Sequence, residues 1–305
     1  MNTAPLSHTW TTTLDQFDIY QRAAGLRPKT LANRRDSLTL LASRSGRELA
    51  DISRGDLLEM LTRANPRTGV EISPGTKASE RSTYQVFFAW AKEEKLRKGD
   101  PAKALPKVKI PRRKPRPLRQ AQIEDILRCG IYKRTRDIVT IAALSGLRLG
   151  EIVKIRGEEY DPRSGTLRTI RKGGLEQIIV LHPLLVELAR EYPPRGWWFP
   201  SPAKNREFPA GGGHILMRSA SDRISIAIGK AGITDTRLTA HSLRHFFATI
   251  LLAEGVSIRV VQEMLGHASL ATTQMYTEVT EAQEYAAVVK LPRIERPTSA
   301  ARMAA

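Results

Sequence analysis

The chain has 305 residues, enough for two ordinary domains that each bury a hydrophobic core. Its 49 lysines and arginines outnumber 31 acidic residues, and the resulting net charge of +18 predicts an acidic polymer as partner. A single cysteine, Cys129, excludes an intramolecular disulfide and a cysteine-built zinc site. The N-terminus lacks a signal-peptide pattern and no apolar stretch approaches membrane-spanning length, so we expect a cytoplasmic protein with no membrane partner.

Residues 1–105 are predicted to form an all-helical domain of four or five helices and no strands. Pro28 opens one helix, and Ser53 followed by Asp56 resembles a capping box. A longer helix carries aromatic residues at helical spacing, which is more typical of a core face than of a base-stacking platform. These residues are Tyr84, Phe87 and Phe88, with Ala91 beside them.

A segment rich in proline and basic residues, 106–117, follows this domain and is predicted to be an extended linker. An extended basic segment can lie along DNA phosphates while it joins two modules, although a solvated spacer is the alternative interpretation. The candidate DNA-binding side chains are those of Lys107, Lys109, Arg112, Arg113, Lys114 and Arg116.

Residues 118–285 are predicted to form a mixed domain, followed by a tail over 286–305. Alternating apolar residues in TLRTIR and LEQIIVL predict a β-hairpin whose turn contains Lys172, with Arg171 adjacent. Helices are expected over 120–129, 134–145, from His182-Pro183 to Leu188, and over 218–231, 242–254 and 257–265. The stretch from Ser201 to His214 is expected to be a loop.

Two arginines and a tyrosine suggest chemistry on a phosphodiester. The non-bridging oxygens of a phosphodiester gain charge when phosphorus becomes five-coordinate, and guanidinium groups suit that charge because they remain cationic. Arg148 and Arg244 are the candidates, and Tyr276 is the candidate nucleophile. A tyrosine has a pKa near 10 and therefore needs nearby cations or a base for activation.

Three further side chains complete this candidate site. His241 precedes Arg244 by three residues, which places both on one helix face, and His267 precedes Tyr276 by nine. Lys172, in a hairpin turn, can protonate the departing 5′ oxygen. The remaining histidines, His8, His182, His214 and His245, are interpreted as structural or surface residues. No acidic cluster with metal-ligand spacing is present, so neither a metal nor another cofactor is predicted.

The order of these residues resembles the tyrosine recombinase, or phage integrase, family. The resemblance is strongest in ALSGLRLGEI (143–152) and in the block from TAHSLRH to TTQMY (239–276). It implies that Arg148, Lys172, His241, Arg244 and His267 activate the reaction, that Tyr276 attacks, and that Glu151 supports the first arginine. Leu175 and Gln177 stand where many relatives have basic residues.

The resemblance also implies the fold and the reaction. We expect a mainly α protein with a small antiparallel sheet: a helical core-binding domain (1–105), the linker (106–117) and a mixed catalytic domain (118–285). The implied function is site-specific recombination through a covalent 3′-phosphotyrosyl intermediate and a Holliday junction, without ATP or metal. The implied partners are double-stranded recombination sites, three further copies of the chain in a tetramer, and accessory DNA-bending or directionality proteins.

Two alternatives remain open at this point: DNA relaxation of the type IB topoisomerase kind, and a catalytically silent DNA-binding relative. The sequence also leaves open how the C-terminal segment is used. A short apolar helix after Tyr276, carrying Tyr285, Ala286, Val288 and Val289, either docks on its own domain or packs into a neighbouring protomer. A bacterial, phage or plasmid origin fits equally well.

Overall fold

The computed structural model describes residues 6–66, 68–111, 116–171, 174–205, 207–266 and 281–294. The chain divides into two compact units, Met1–Arg113 and Lys114–Ala305. This division lies within the predicted linker. The described residues contain no helix that is long and apolar enough to cross a membrane.

The first unit is helical, as predicted. Its helices are α1 (His8–Ala23), α2 (Pro28–Ser45), α3 (Arg54–Thr62) and α4 (Pro74–Glu93), with a 3₁₀ turn at Leu49–Asp51. The capping box at Ser53 and Asp56 is confirmed, since each side chain accepts a hydrogen bond from the other residue's backbone N–H. The described part of this unit contains one isolated β-bridge, between Ala64 and Glu71, and no regular strand.

Aromatic side chains form the core of the first unit. The apolar face predicted for α4 is confirmed, because Tyr84, Phe87 and Phe88 are fully buried. Phe87 meets Phe17 of α1 edge to face, with 5.1 Å between ring centroids. Such contacts join α1 to α4 and leave none of the three α4 rings available for stacking on a nucleic-acid base.

The second unit packs helices around small antiparallel sheets, and the predicted fold class is confirmed. Its helices are α5 (Gln120–Arg128), α6 (Lys133–Ser145), α7 (Leu149–Ile152), α8 (Pro183–Ala189), α9 (Met217–Lys230), α10 (Ala240–Ala253), α11 (Ile258–Leu265) and α12 (Glu281–Val288). Its strands are β1 (Tyr160–Asp161), β2 (Thr166–Ile170), β3 (Glu176–Val180), β4 (Pro200–Ser201) and β5 (Gly213–His214).

The predicted hairpin is confirmed as β2 and β3, which pair antiparallel with Thr166 opposite Val180 and Ile170 opposite Glu176. Strand β1 extends this sheet beyond β2, and the sequence pattern did not predict it because two residues carry no periodicity. The prediction of a continuous loop from Ser201 to His214 was wrong at its ends. There β4 and β5 pair, with Ser201 opposite Gly213.

A close approach of two helices organises the second unit. Gly146 ends α6 in the left-handed region at φ 63°, and a Cβ atom there would lie 2.6 Å from the Phe247 ring of α10. Only glycine satisfies both conditions without strain. The tight crossing brings the start of α7 close to the first turns of α10.

The C-terminal segment packs on its own domain. Ala287 and Val288 of α12 and the following Leu291 and Ile294 are buried in the hydrophobic core of the second unit. They lie against β3 and α11. Part of the predicted tail 286–305 is therefore core-forming in this structure.

Candidate active site

Arg148 stands at the N-cap of α7, directly after the tight turn at Gly146. The Glu151 carboxylate accepts a hydrogen bond from the Arg148 backbone N–H at 2.8 Å and from Arg148 Nη1 at 3.0 Å. The Arg148 side chain remains 31% exposed, whereas that of Glu151 is only 8% exposed. Glu151 thus holds the arginine through two hydrogen bonds, while part of the Arg148 side chain faces solvent.

Arg244 lies one turn into α10 and is 4% exposed. Its Nη1 donates to the carbonyl of Gly146 at 2.5 Å, and its Nη2 donates to the carbonyl of Leu265 at 2.6 Å. These contacts anchor the guanidinium to the ends of α6 and α11. Burial, together with the charges of Arg148 and Arg171, lowers the pKa of Arg244 to about 10, so that it is cationic at neutral pH.

His241 belongs to the first turn of α10, next to the Thr239 N-cap, whose hydroxyl accepts its backbone N–H. Its ring meets that of His245, one turn further on, edge to face at 5.1 Å between centroids. Desolvation, followed by the charges of His245, Arg244 and Arg148, lowers the pKa of His241 below its usual value. A neutral imidazole next to two arginines can accept a proton.

Arg171 is the side chain that sequence reasoning did not assign to the site. It directly follows β2, is 5% exposed, and donates from Nη1 to Glu151 at 3.0 Å. Glu151 therefore joins Arg148 to Arg171. The only signal in the sequence was that Arg171 is adjacent to Lys172, because a buried arginine and an exposed one look alike in a strand pattern.

Three predicted site residues, Lys172, His267 and Tyr276, lie outside the described residues. Their neighbours are described at three points. Arg171 and Gly174 flank the hairpin turn, and Gly266 ends α11 in the left-handed region one residue before His267. The structure thus brings together Arg148, Glu151, His241 and Arg244 from the predicted set.

The predicted DNA-binding residues of the linker are described in part. Lys107, Lys109 and Arg116 are exposed, while Arg112, Arg113 and Lys114 fall outside the described residues. Within the described ranges, no group of three or more His, Cys, Asp or Glu side chains is arranged to hold a metal ion.

Comparison with known proteins identifies the family. The Phage integrase family model matches residues 116–283. The tyrosine recombinase XerD of Yersinia pestis is 33% identical over 236 residues, which cover 72% of this chain and 79% of the relative. XerD of Ralstonia nicotianae is 31% identical over 290 residues, covering 91% and 92% of the two chains.

The fold has relatives among solved structures. A crystal structure of a lambda integrase (75–356) dimer bound to a COC′ core site aligns with a TM-score of 0.64, covering 90% of this chain and 100% of that one at 18% identity. The match to the family model and the identity to the XerD proteins show that the chain belongs to the phage integrase family. It is a tyrosine recombinase, an enzyme that cleaves and rejoins DNA in site-specific recombination.

Proposed function

We propose that Arg148 and Arg244 hold the phosphate at which the DNA strand is cut and that Tyr276 attacks it. One observation carries this proposal: the buried Arg244 is anchored on two backbone carbonyls, and one of them belongs to Gly146, two residues before the partly exposed Arg148. Burial, followed by the charges of Arg148 and Arg171, lowers the pKa of Arg244, which agrees with a cluster of cations. Like charges repel at close range, and two of these three arginines have buried guanidinium groups. A cluster of this kind is suited to an anion that enters from the exposed side of Arg148.

The proposed reaction balances without a cofactor or ATP. The Tyr276 hydroxyl loses its proton to His241 or His267 and forms a bond to phosphorus as the bond from phosphorus to the 5′ oxygen breaks. Lys172 protonates the 5′ oxygen, and the DNA 3′ end stays attached to Tyr276. Attack by a 5′ hydroxyl on the phosphotyrosine reverses the step and rejoins the strand.

We infer that strand exchange takes place in a homotetramer on double-stranded recombination sites, through a Holliday junction. A lambda integrase tetramer bound to a Holliday junction, 18% identical to this chain, has the same fold with a TM-score of 0.65. Ala287 and Val288 of α12 are buried on their own domain, whereas Tyr285 and Val289 of the same segment are exposed and could pack into a neighbour. Chromosomal or phage DNA as substrate places the enzyme in the cytoplasm, where accessory DNA-bending or directionality proteins would act with it.

The names of the relatives favour recombination over the two alternatives, since both Yersinia and Ralstonia proteins are tyrosine recombinases. A topoisomerase would relax supercoiled plasmid without joining strands from two sites. Recombinant products from paired sites, measured beside relaxation, separate these activities.

The nucleophile is tested by trapping the enzyme on nicked suicide duplexes that carry the DNA flanking its gene. Wild type should form a covalent adduct on a denaturing gel, and Tyr276→Phe should bind the duplex but form none. Tyr285→Phe is the matched control, because Tyr285 is exposed on α12 and should leave the adduct unchanged. An adduct that persists in Tyr276→Phe excludes Tyr276 as the nucleophile.

A further inference from the structure

Every guanidinium nitrogen of Arg171 is bonded within the protein. Nε donates to Gln177 Oε1 at 2.7 Å, Nη1 donates to Glu151 at 3.0 Å, and Nη2 donates to the Met264 carbonyl at 2.8 Å. These bonds engage all three nitrogens, and Arg171 is only 5% exposed, so its guanidinium is not accessible to a phosphate on the described surface. Its charge is matched by the hydrogen-bonded carboxylate of Glu151, by the nearby charge of Glu284 and by the carbonyl groups at the C-terminal end of α11.

These partners belong to three different elements, and each element leads to a predicted site residue. Glu151 of α7 holds Arg148 on its other oxygen. Gln177 of β3 also donates to the Glu263 carbonyl at 3.1 Å, so the hairpin is tied to α11 twice. Arg171 itself directly precedes Lys172 in the chain.

The third element, the end of α11, is fitted tightly to this arginine. A Cβ atom on Gly266 would lie 3.0 Å from Arg171 Nε and 3.1 Å from Gln177 Oε1. The same end of α11 is held by Arg244, which donates to the Leu265 carbonyl at 2.6 Å. Because His267 follows Gly266 directly, Arg171 and Arg244 together determine where the segment leading to His267 begins.

We propose that Arg171 is a positioning residue that holds Arg148, the end of β2 before Lys172 and the end of α11 before His267 in one arrangement without contacting DNA. The inference rests on the proposed function of those three residues. Burying a charged side chain costs free energy unless its hydrogen-bond partners are well placed. Loss of one partner of Arg171 is therefore expected to disturb its other hydrogen bonds as well. Arg171 then links the position of Arg148 to the packing of the β2–β3 hairpin against α11.

The test uses the full-length enzyme with single-turnover cleavage of a nicked suicide duplex. Arg171→Gln should cleave about 100-fold more slowly, because displacements of about 1 Å at a reacting centre cost that much, while duplex affinity changes little. The double variant Arg171→Gln/Gln177→Arg exchanges the two side chains, so that the guanidinium comes from the other arm of the hairpin. It should restore most of the wild-type cleavage rate. Recovery in this double variant distinguishes placement of a guanidinium from general damage to the fold.

Arg136→Gln is the matched control. Arg136 is also buried in the second unit and donates to the backbone carbonyls of Leu127 and Ile131, at 3.1 and 3.2 Å. The Arg136→Gln variant should lower the free energy of unfolding as Arg171→Gln does, yet leave DNA cleavage by the folded enzyme unchanged. If Arg171→Gln does not fold, we use Arg171→Lys instead. Lysine keeps the positive charge but lacks the planar set of guanidinium donors.

A methylphosphonate at the cut position shows whether the defect passes through Arg148. This group does not carry the oxygen charge that an arginine neutralises, so the slow cleavage of Arg171→Gln and of Arg148→Gln should both recover in part. Cleavage by Arg171→Gln at the wild-type rate, or equal losses in Arg171→Gln and Arg136→Gln, overturns the inference. Absence of any adduct in wild type would instead contradict the proposed function.

Discussion

At the scale of single residues, Glu151 decides how the cations of the site are arranged. It accepts hydrogen bonds from Arg148 and from Arg171 on its two carboxylate oxygens, and both partners are within 3.0 Å. The carboxylate is nearly buried, so its interaction with Arg171 is screened little by salt. Removing its charge takes away the carboxylate that is hydrogen-bonded to the buried Arg171.

Glu151→Gln is therefore expected to lower the free energy of unfolding by about 3 kcal/mol and to slow DNA cleavage. Denaturant unfolding and suicide-substrate trapping measure the two effects. Glu176→Gln is the control: Glu176 is 61% exposed and pairs with Arg168 on the sheet surface. Surface pairs contribute less than about 1 kcal/mol, so an equal loss in both variants would contradict the role given to Glu151.

At the scale of secondary-structure elements, described site residues lie at the ends of helices. Arg148 is an N-cap, His241 occupies a first turn, and Gly266 ends α11 before His267. The ends of a helix have unpaired backbone groups that accept or donate to side chains, and here the carbonyls of α11 receive Arg171 and Arg244. Loops that follow such anchored ends start from defined positions.

A helix end also links the C-terminal segment to the core. His182 caps α8 by accepting the Leu184 N–H on Nδ1 at 3.1 Å, and the backbone of Leu291 lies near its ring. Burial lowers the pKa of His182 below its usual value. The neutral ring therefore stabilises the fold above about pH 6.5, and this contribution is lost as the pH falls through the unfolded-state pKa toward the folded-state pKa.

We expect His182→Ala to lower the free energy of unfolding by about 1–2 kcal/mol near neutral pH, and by less in acid, where the lowered pKa of His182 makes the folded wild type lose stability relative to the unfolded chain. Urea unfolding at about pH 7.5 and about pH 5 measures the difference. His8→Ala, at an exposed position of α1, should leave the pH dependence of wild type unchanged. An equal effect of His182→Ala at both pH values would show that protonation does not act through the cap.

At the scale of the whole molecule, charge directs the enzyme to its substrate. The net charge of +18 is large for 305 residues, and Lys107, Lys109 and Arg116 are exposed in the segment that joins the two units. Cations that neutralise phosphates release counterions, so each such cation contributes to the salt dependence of binding. The linker is thus predicted to contribute affinity independent of DNA sequence.

Replacing Lys107, Lys109 and Arg116 together by glutamine should weaken binding to any duplex. The slope of log affinity against log salt should fall by about 0.9 for each phosphate that the linker no longer neutralises. Titrations by fluorescence anisotropy at several salt concentrations measure it. As a charge-matched control, replacement of Lys77, Lys154 and Arg237, which are held in ion pairs with Glu71, Glu207 and Asp235, should change the slope less.

Patterns among residues close together in the sequence were sufficient to predict much of the secondary structure. The capping box at Ser53, the apolar face of α4 and the alternation in β2 and β3 each depend on neighbours within a few residues, and each prediction is confirmed. The short strands β1, β4 and β5 were missed because they are held by pairing partners elsewhere in the chain. Two residues cannot display a period.

The sequence by itself determined the family, the order of the candidate site residues and the helix positions of His241 and Arg244, because these follow from motif and periodicity. Only the tertiary structure decided that Arg171 is buried in the site and that Gln177 is its partner. The burial of Arg171 depends on contacts with Glu151 and with α11, which lie 20 or more residues from Arg171 in the chain, and the Gln177 contact depends on the side-chain orientations in the folded hairpin. Burial and charge pairing arise from packing between distant segments, and a linear pattern does not contain them.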